Sequence, residues 1–143
     1  MKISIINGPN LNLLGTREPE VYGHETLDQL ERRCRDAADR LGIEIEFLQS
    51  NYEGQIIDWI QQAIGATEAI VINPAGYTHT SVAIQDALKA YPGYKVELHI
   101  SDPASRESFR HHSYVASAVD ESVTGRGTDG YIEVIEKLAE KLD

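Results

Sequence analysis

The sequence predicts an α/β protein: a doubly wound, five-stranded parallel sheet with helices on both faces. Two observations carry this expectation. Short, apolar, β-branched runs alternate with amphipathic helical stretches from one end of the chain to the other, the order that a parallel sheet covered on both sides requires. The 143 residues also read as one domain spanning 1–143, large enough to bury roughly two-thirds of its unfolded surface. No linker, repeat or low-complexity segment interrupts the alternation.

Taken in order, Lys2–Asn7 (K-I-S-I-I-N) is a buried strand stopped by Gly8-Pro9. The next stretch, G-T-R-E-P-E-V-Y-G at residues 15–23, fits neither a helix nor a strand pattern. Thr26 opens a helix as N-cap, and Gln29 three residues on completes a capping box. Leu27, Leu30, Cys34, Ala37 and Leu41 mark its apolar face, and Gly42 ends it. Residues 43–49 alternate as a second strand. Ser50 with Glu53 suggests another capping box, leading into a helix with Ile56, Ile57, Ile60 and Ile64 inward. Ala69–Asn73 (A-I-V-I-N) is a third strand, and a turn-rich P-A-G-Y-T-H-T precedes a helix over about 81–90. Residues 96–100 make a fourth strand, 105–111 one helical turn, 119–124 the least distinct strand, and 131–142 a closing amphipathic helix. Five strands in this setting predict a flavodoxin-like order.

Composition narrows the partners. The chain is 41% hydrophobic and 25% charged, with a formal charge of −10, so phosphate-rich nucleic acid is not an expected partner. No apolar run approaches the roughly 20 residues of a membrane span. The N-terminus lacks a signal-peptide pattern, and Cys34 is the single cysteine. A cytoplasmic location is therefore expected. An anionic substrate would need a local positive field set against the global charge, which directs attention to the arginines.

In a doubly wound sheet, ligands bind beyond the carboxyl ends of the strands, where strand order reverses. After the first strand stands N-G-P-N-L-N-L-L-G and then the 15–23 loop. After the third come Asn73 and His79. The fourth carries Glu97, His99 and Ser101 on one face, with Arg106 and Arg110 just beyond. Other motifs carry less. Cys34 lies on a core face, His24 reads as a surface residue, and Tyr131 reads as packing or capping. His111-His112 diverge and lack companion ligands, so no metal is expected. G-R-G-T-D-G at 125–130 is formally a G-x-G-x-x-G, yet the chain ends before the strand and acidic residue that a dinucleotide site needs. No G-x-S-x-G elbow is present, and the five lysines lie outside these loops. Acid–base chemistry by His and Tyr beside an Arg remains, on an oxygen-rich anion. Proton abstraction next to a carbonyl, with loss of a hydroxyl, fits that inventory.

N-G-P-N-L-N-L-L-G-T-R-E-P-E-V-Y-G, N-P-A-G-Y-T-H-T-S-V-A-I-Q-D-A, E-L-H-I-S and F-R-H-H-S-Y closely resemble the type II 3-dehydroquinate dehydratases over essentially the whole chain. The resemblance implies a flavodoxin-like fold, a dodecamer built from trimers, and conversion of 3-dehydroquinate to 3-dehydroshikimate and water without metal or cofactor, in the shikimate or quinate pathways. It implies that Tyr22 takes the proton alpha to the ketone. Free tyrosine ionises near pH 10, so the resemblance assigns Arg17 to stabilise the phenolate, and Pro19 and the flanking glycines suit a closing lid. Asn10 matches the residue holding a water against the enolate. His99 matches the acid for the departing hydroxyl, and Glu97 is expected to orient its ring. Asn73 and the amides of Ile100 and Ser101 match carboxylate-binding positions, His79 and Arg110 contacts to ring hydroxyls, and Asp86 a residue that reaches a neighbouring subunit's site. The departures lie downstream. Asp102 stands where Asn is usual, Ala104 where His is common, and Ser105 where Ala is common. A-S-A-V-D-E-S-V-T is more polar than the usual S-P-x-A-x-G-V-I-x, notably at Glu121 and Ser122.

The alternative is a non-catalytic flavodoxin-like small-molecule binding module. A receiver of that type holds a cation with carboxylates after its first strand, and here Asn7-Gly8-Pro9-Asn10 supplies none.

Overall fold

The computed structural model describes residues 1–142. Five strands, β1 (Lys2–Asn7), β2 (Glu44–Gln49), β3 (Ala69–Asn73), β4 (Tyr94–Leu98) and β5 (Glu121–Val123), form one sheet. Their spatial order is β2-β1-β3-β4-β5, and every neighbouring pair is parallel. The winding reverses between β1 and β3, which opens a crevice at their carboxyl ends. The flavodoxin-like architecture expected from the sequence is the one observed.

Alternation along the central strands builds two cores. Ile3, Ile5, Val71, Val96 and Leu98 pack against Leu30, Cys34 and Ala37 of α2 (Leu27–Leu41) and against Tyr131, Ile135 and Leu138 of α5 (Asp129–Lys141). Ile6, Ile70 and Ile72 pack on the opposite face against Ile56 and Ile60 of α3 (Glu53–Ala63) and Ile84 and Leu88 of α4 (Val82–Ala90). The Thr26 capping box forms as expected, with Gln29 N donating to Thr26 Oγ1 at 3.2 Å and Thr26 N to Gln29 Oε1 at 2.9 Å. Among the described residues no helix is long and apolar enough to cross a membrane.

Several local expectations are corrected. The Ser50–Glu53 box does not form, because Tyr52 is the N-cap and Glu53 the first helical residue. Ser50 Oγ instead accepts from Tyr52 N at 2.9 Å, a turn that competes with capping. Leu41 and Ile64 are 43% and 44% exposed rather than inward, since each stands where its helix ends. β2 starts at Glu44, as Ile43 N turns back to Ala38 O. β4 runs Tyr94–Leu98 rather than 96–100, although His99 N still donates to Val123 O at 2.9 Å. β5 is three residues long. In place of one helical turn over 105–111 there are two 3₁₀ turns, Pro103–Ser105 and Ser108–Arg110, separated by extended Arg106 and by Glu107. α5 begins two residues early, at Asp129. Residues 15–23, which matched no helix pattern, hold a single helical turn, α1 (Pro19–Tyr22).

The crevice is fixed from below by polar groups. Gly8 N donates to Asn73 O at 2.8 Å, and a Cβ at Gly8 would lie 2.6 Å from Pro74 O, so only glycine permits this approach of β1 to β3. Asn7 and Asn73 are register partners. The fully buried Tyr131 bridges them, its hydroxyl donating to Asn7 Oδ1 at 2.7 Å and accepting from Asn73 Nδ2 at 3.0 Å. Burial pushes the Tyr131 hydroxyl far above the usual tyrosine range, against a smaller opposing effect of the Asn73 hydrogen bond, so it stays a neutral donor. Tyr131→Phe strips Asn7 Oδ1 of its buried donor and Asn73 Nδ2 of its acceptor, at ~1–3 kcal/mol for each unsatisfied group. The expected result is a lower urea midpoint with unchanged m-value; an unchanged midpoint would show that the bridge does not stabilise the fold.

Candidate active site

The segment leaving β1 rises as a loop pinned at its base. Asn10 adopts φ +70°, followed by a 3₁₀ turn at Leu11–Leu13, and Leu11 and Leu14 are buried. Gly15 has φ +92°, and a Cβ there would approach His24 O to 2.9 Å, so the two ends of the 15–24 loop touch. Immediately beyond, Glu25 receives Arg33 Nη1 on both carboxylate oxygens (2.9 and 3.1 Å) and Thr128 Oγ1 at 2.6 Å. Arg33 Nη2 also reaches Asp129 at 2.5 Å. The loop base is thereby tied to both α2 and the start of α5. Hydrogen bonds to Asp129 and Glu25 raise the Arg33 guanidinium above its ordinary range, so this tie stays charged.

α1 closes the loop over the crevice and delivers Tyr22. Arg106 Nη1 donates to the Tyr22 hydroxyl at 2.7 Å. The Arg17 and Arg106 guanidinium carbons lie 4.9 and 5.5 Å from the Tyr22 ring centroid. Glu18, held at φ +41°, sets a carboxylate oxygen 3.5 Å from Arg17 Nη2 and 3.9 Å from Arg106 Nη2. Arg106 had been placed at the rim by the sequence but given no role. Its position seven residues past His99, in the loop after the same strand, was the available signal.

β4 and the residue just after it pair a carboxylate with a histidine. His99 Nε2 lies 2.6 Å from Glu97 Oε2, and both side chains are nearly inaccessible. With Nε2 donating to the carboxylate, Nδ1 is left for other work. Thr78 Oγ1 and Ser113 Oγ approach the same Oε2 at 2.5 and 2.9 Å, and Ser122 Oγ donates to Oε1 at 3.2 Å. Burial works to raise the Glu97 carboxyl, but the His99 hydrogen bond and charge, with the bonds from Thr78 and Ser113, outweigh it and hold the group below the usual carboxylate range. Thr78, Ser113 and Ser122 are contributors that sequence reasoning did not single out for the site. Their separation in the chain hides a convergence that only the sheet creates.

Nine of the eleven expected site residues line one cavity of about 150 Å³: Asn10, Arg17, Tyr22, Asn73, His79, His99, Ile100, Ser101 and Arg110, joined by Arg106. Glu97 stands behind His99, and Asp86 is exposed on α4, outside its own chain's cavity. Asp102 lies away from this cavity as well, its Oδ1 accepting from Ala104 N at 3.0 Å. Among the described residues the amides of Ile100 and Ser101 have no protein acceptor. Asn73 Oδ1 accepts from Ala75 N at 3.1 Å, which leaves one Nδ2 hydrogen for a ligand. His79 Nδ1 meets His112 O at 2.8 Å, and Arg110 Nε donates to Glu107 at 2.6 Å. Three arginines and no carboxylate line the cavity, in a chain of formal charge −10. Such a cavity favours a small anion. No group of three or more His, Cys, Asp or Glu side chains among the described residues converges as a metal site would require.

The chain matches the family described as Dehydroquinase class II over residues 1–139. It is 55% identical to a 3-dehydroquinate dehydratase of Bartonella henselae over all of this chain and 97% of that one. To a catabolic 3-dehydroquinase 1 of Fusarium vanettenii it is 52% identical, over 98% of this chain and 97% of the relative. Its fold superposes on the crystal structure of a type II dehydroquinase from Butyrivibrio crossotus with a TM-score of 0.95 and 46% identity, covering 96% of this chain and 97% of that chain. The chain belongs to the class II dehydroquinase family, and it is a hydro-lyase of the type II kind.

Proposed function

We propose that this cavity dehydrates 3-dehydroquinate to 3-dehydroshikimate and water, with residues 1–143 acting as one catalytic domain. The observation that carries the reading is a tyrosine held by an arginine at 2.7 Å on one wall and a histidine–carboxylate pair on the other. A phenolate at Tyr22 would be stabilised by the Arg106 hydrogen bond and by the positive charge of Arg17, 4.9 Å from the ring centroid. Tyr22 in that form takes the proton from C2 of the substrate, and the C–H electron pair moves onto the C3 carbonyl oxygen as an enolate. Asn10, whose carboxamide makes no hydrogen bond among the described residues, holds a water against that oxygen. The enolate then collapses to a C1=C2 double bond conjugated with the ketone. The C1 hydroxyl departs with a proton from His99 and leaves as water. Glu97 orients the ring and balances its positive charge. Exchange with solvent returns the proton from Tyr22 and restores that of His99.

Binding follows from the remaining groups. The free amides of Ile100 and Ser101, with the spare Asn73 hydrogen, suit the substrate carboxylate. His79 and Arg110 suit the ring hydroxyls. Asp86 is exposed and outside its own cavity, which supports a role in the site of an adjoining copy within a trimer-built dodecamer.

Two measurements test this. Addition of 3-dehydroquinate is expected to generate the ultraviolet absorbance of a conjugated enone, undiminished by EDTA and by borohydride treatment in the presence of ligand. No signal from assembled protein would remove the assignment, and borohydride inactivation would point to a lysine adduct. Tyr22→Phe is expected to lower kcat at least about 100-fold, the usual scale for a general base, with ligand affinity kept. Retained turnover would show that another group is the base.

A further inference from the structure

Glu97 is held unevenly. Its Oε2 faces His99, Thr78 and Ser113, while Oε1 has a single partner, Ser122 Oγ at 3.2 Å. Thr78 Oγ1 and Ser113 Oγ also lie 2.7 Å from each other, so two hydroxyl protons serve three short oxygen–oxygen contacts. Ser113 Oγ further accepts from Ala116 N at 3.0 Å. Neither hydroxyl has a proton to spare for Oε1. The last torsion of a glutamate is broad and roughly two-fold, so intrinsic preference does not fix the carboxylate plane. Donors gathered on one oxygen leave the carboxylate free to pivot about it. A donor on the second oxygen, anchored to a different strand, stops that pivot.

Ser122 is placed to be that donor. It is the register partner of Glu97 across the β4–β5 pair, so the two side chains leave the sheet on the same face. Both line a second cavity, of about 230 Å³, which opens behind His99. Without the hydroxyl, Oε1 would meet only loose water there. We infer that Ser122 is a positioning residue: it locks the Glu97 carboxylate, and through it the aim of His99 at the departing hydroxyl. This inference rests on the pair formed by Glu97 and His99 acting as the acid in the dehydration proposed above.

The test compares Ser122→Val, Ser122→Ala and Ser122→Thr in the assembled enzyme, with His99→Gln alongside. Loss of one hydrogen bond to a charged group sets the expectation: kcat falls roughly tenfold in the Val and Ala variants. KM stays within about twofold, because the substrate-binding groups are untouched. Ser122→Thr, which keeps the hydroxyl, recovers most of the lost kcat. Wild-type kcat in Ser122→Ala overturns the inference, as does a loss confined to KM, or a Thr variant as slow as Ala. If His99→Gln keeps full turnover, the acid pair itself is wrong and the role of Ser122 falls with it. If His99→Gln is slow while Ser122→Ala is not, only the role of Ser122 fails. The Ala variant also decides the case if Val on the short edge strand impairs folding.

Discussion

The hydrogen bond from Arg106 to Tyr22 spans 84 positions of sequence, and the site is organised around it. It joins the loop after β1 to the loop after β4, so both must sit at the same edge of the sheet. Only the β2-β1-β3-β4-β5 order, with its reversal between β1 and β3, leaves a crevice there for the two loops to close. The bond also concentrates positive charge at one place in an acidic chain. Arg17, Arg106 and Arg110 line a cavity without carboxylates, so a small anion is drawn to the wall where the phenol stands. Low local dielectric makes each of these charges count for more than it would on the surface.

The two faces of the sheet divide the work of holding this geometry. On the α2/α5 face, buried Tyr131 ties Asn7 to Asn73 and fixes the floor between β1 and β3. Arg33, Glu25 and Thr128 tie the loop base to the same helices, so α1 stands on a fixed foundation. On the other face, Thr78, Ser113 and Ser122 surround the Glu97 carboxylate, and His99, with help from Thr78 and Ser113, holds it below the usual carboxylate range despite burial. The apolar cores end where the strands end, and these two polar clusters begin there. In the proposed reaction, groups mounted on such satisfied supports need little reorganisation.

Much of this was legible in the residues. The alternation of apolar runs and amphipathic helices gave the fold class, because a parallel sheet buries both faces of its strands. Topology directed attention to the ends of the first, third and fourth strands, and Asn10, Tyr22, Asn73, His79 and His99 were found there together. The roles of single residues came from family resemblance rather than from spacing. What stayed hidden was tertiary in origin. The Ser50–Glu53 pattern satisfied a capping rule, yet a local turn at Tyr52 displaced it. Leu41 and Ile64 kept helical phase but outlasted the packing that would bury them. Arg106 stood out at the rim and Ser122 as a polar departure, yet neither showed its partner, since nothing local announces one 84 or 25 positions away.

The proposed role of Arg106, to make Tyr22 a base, is tested most directly by replacing that arginine with methionine. Methionine keeps much of the stem while removing the charge and the donor. With turnover followed at saturating 3-dehydroquinate, Arg106→Met is expected to lose at least about 100-fold in kcat, on the scale of a lost general base. A kcat within about threefold of the parent enzyme, in a correctly assembled protein, would contradict the account.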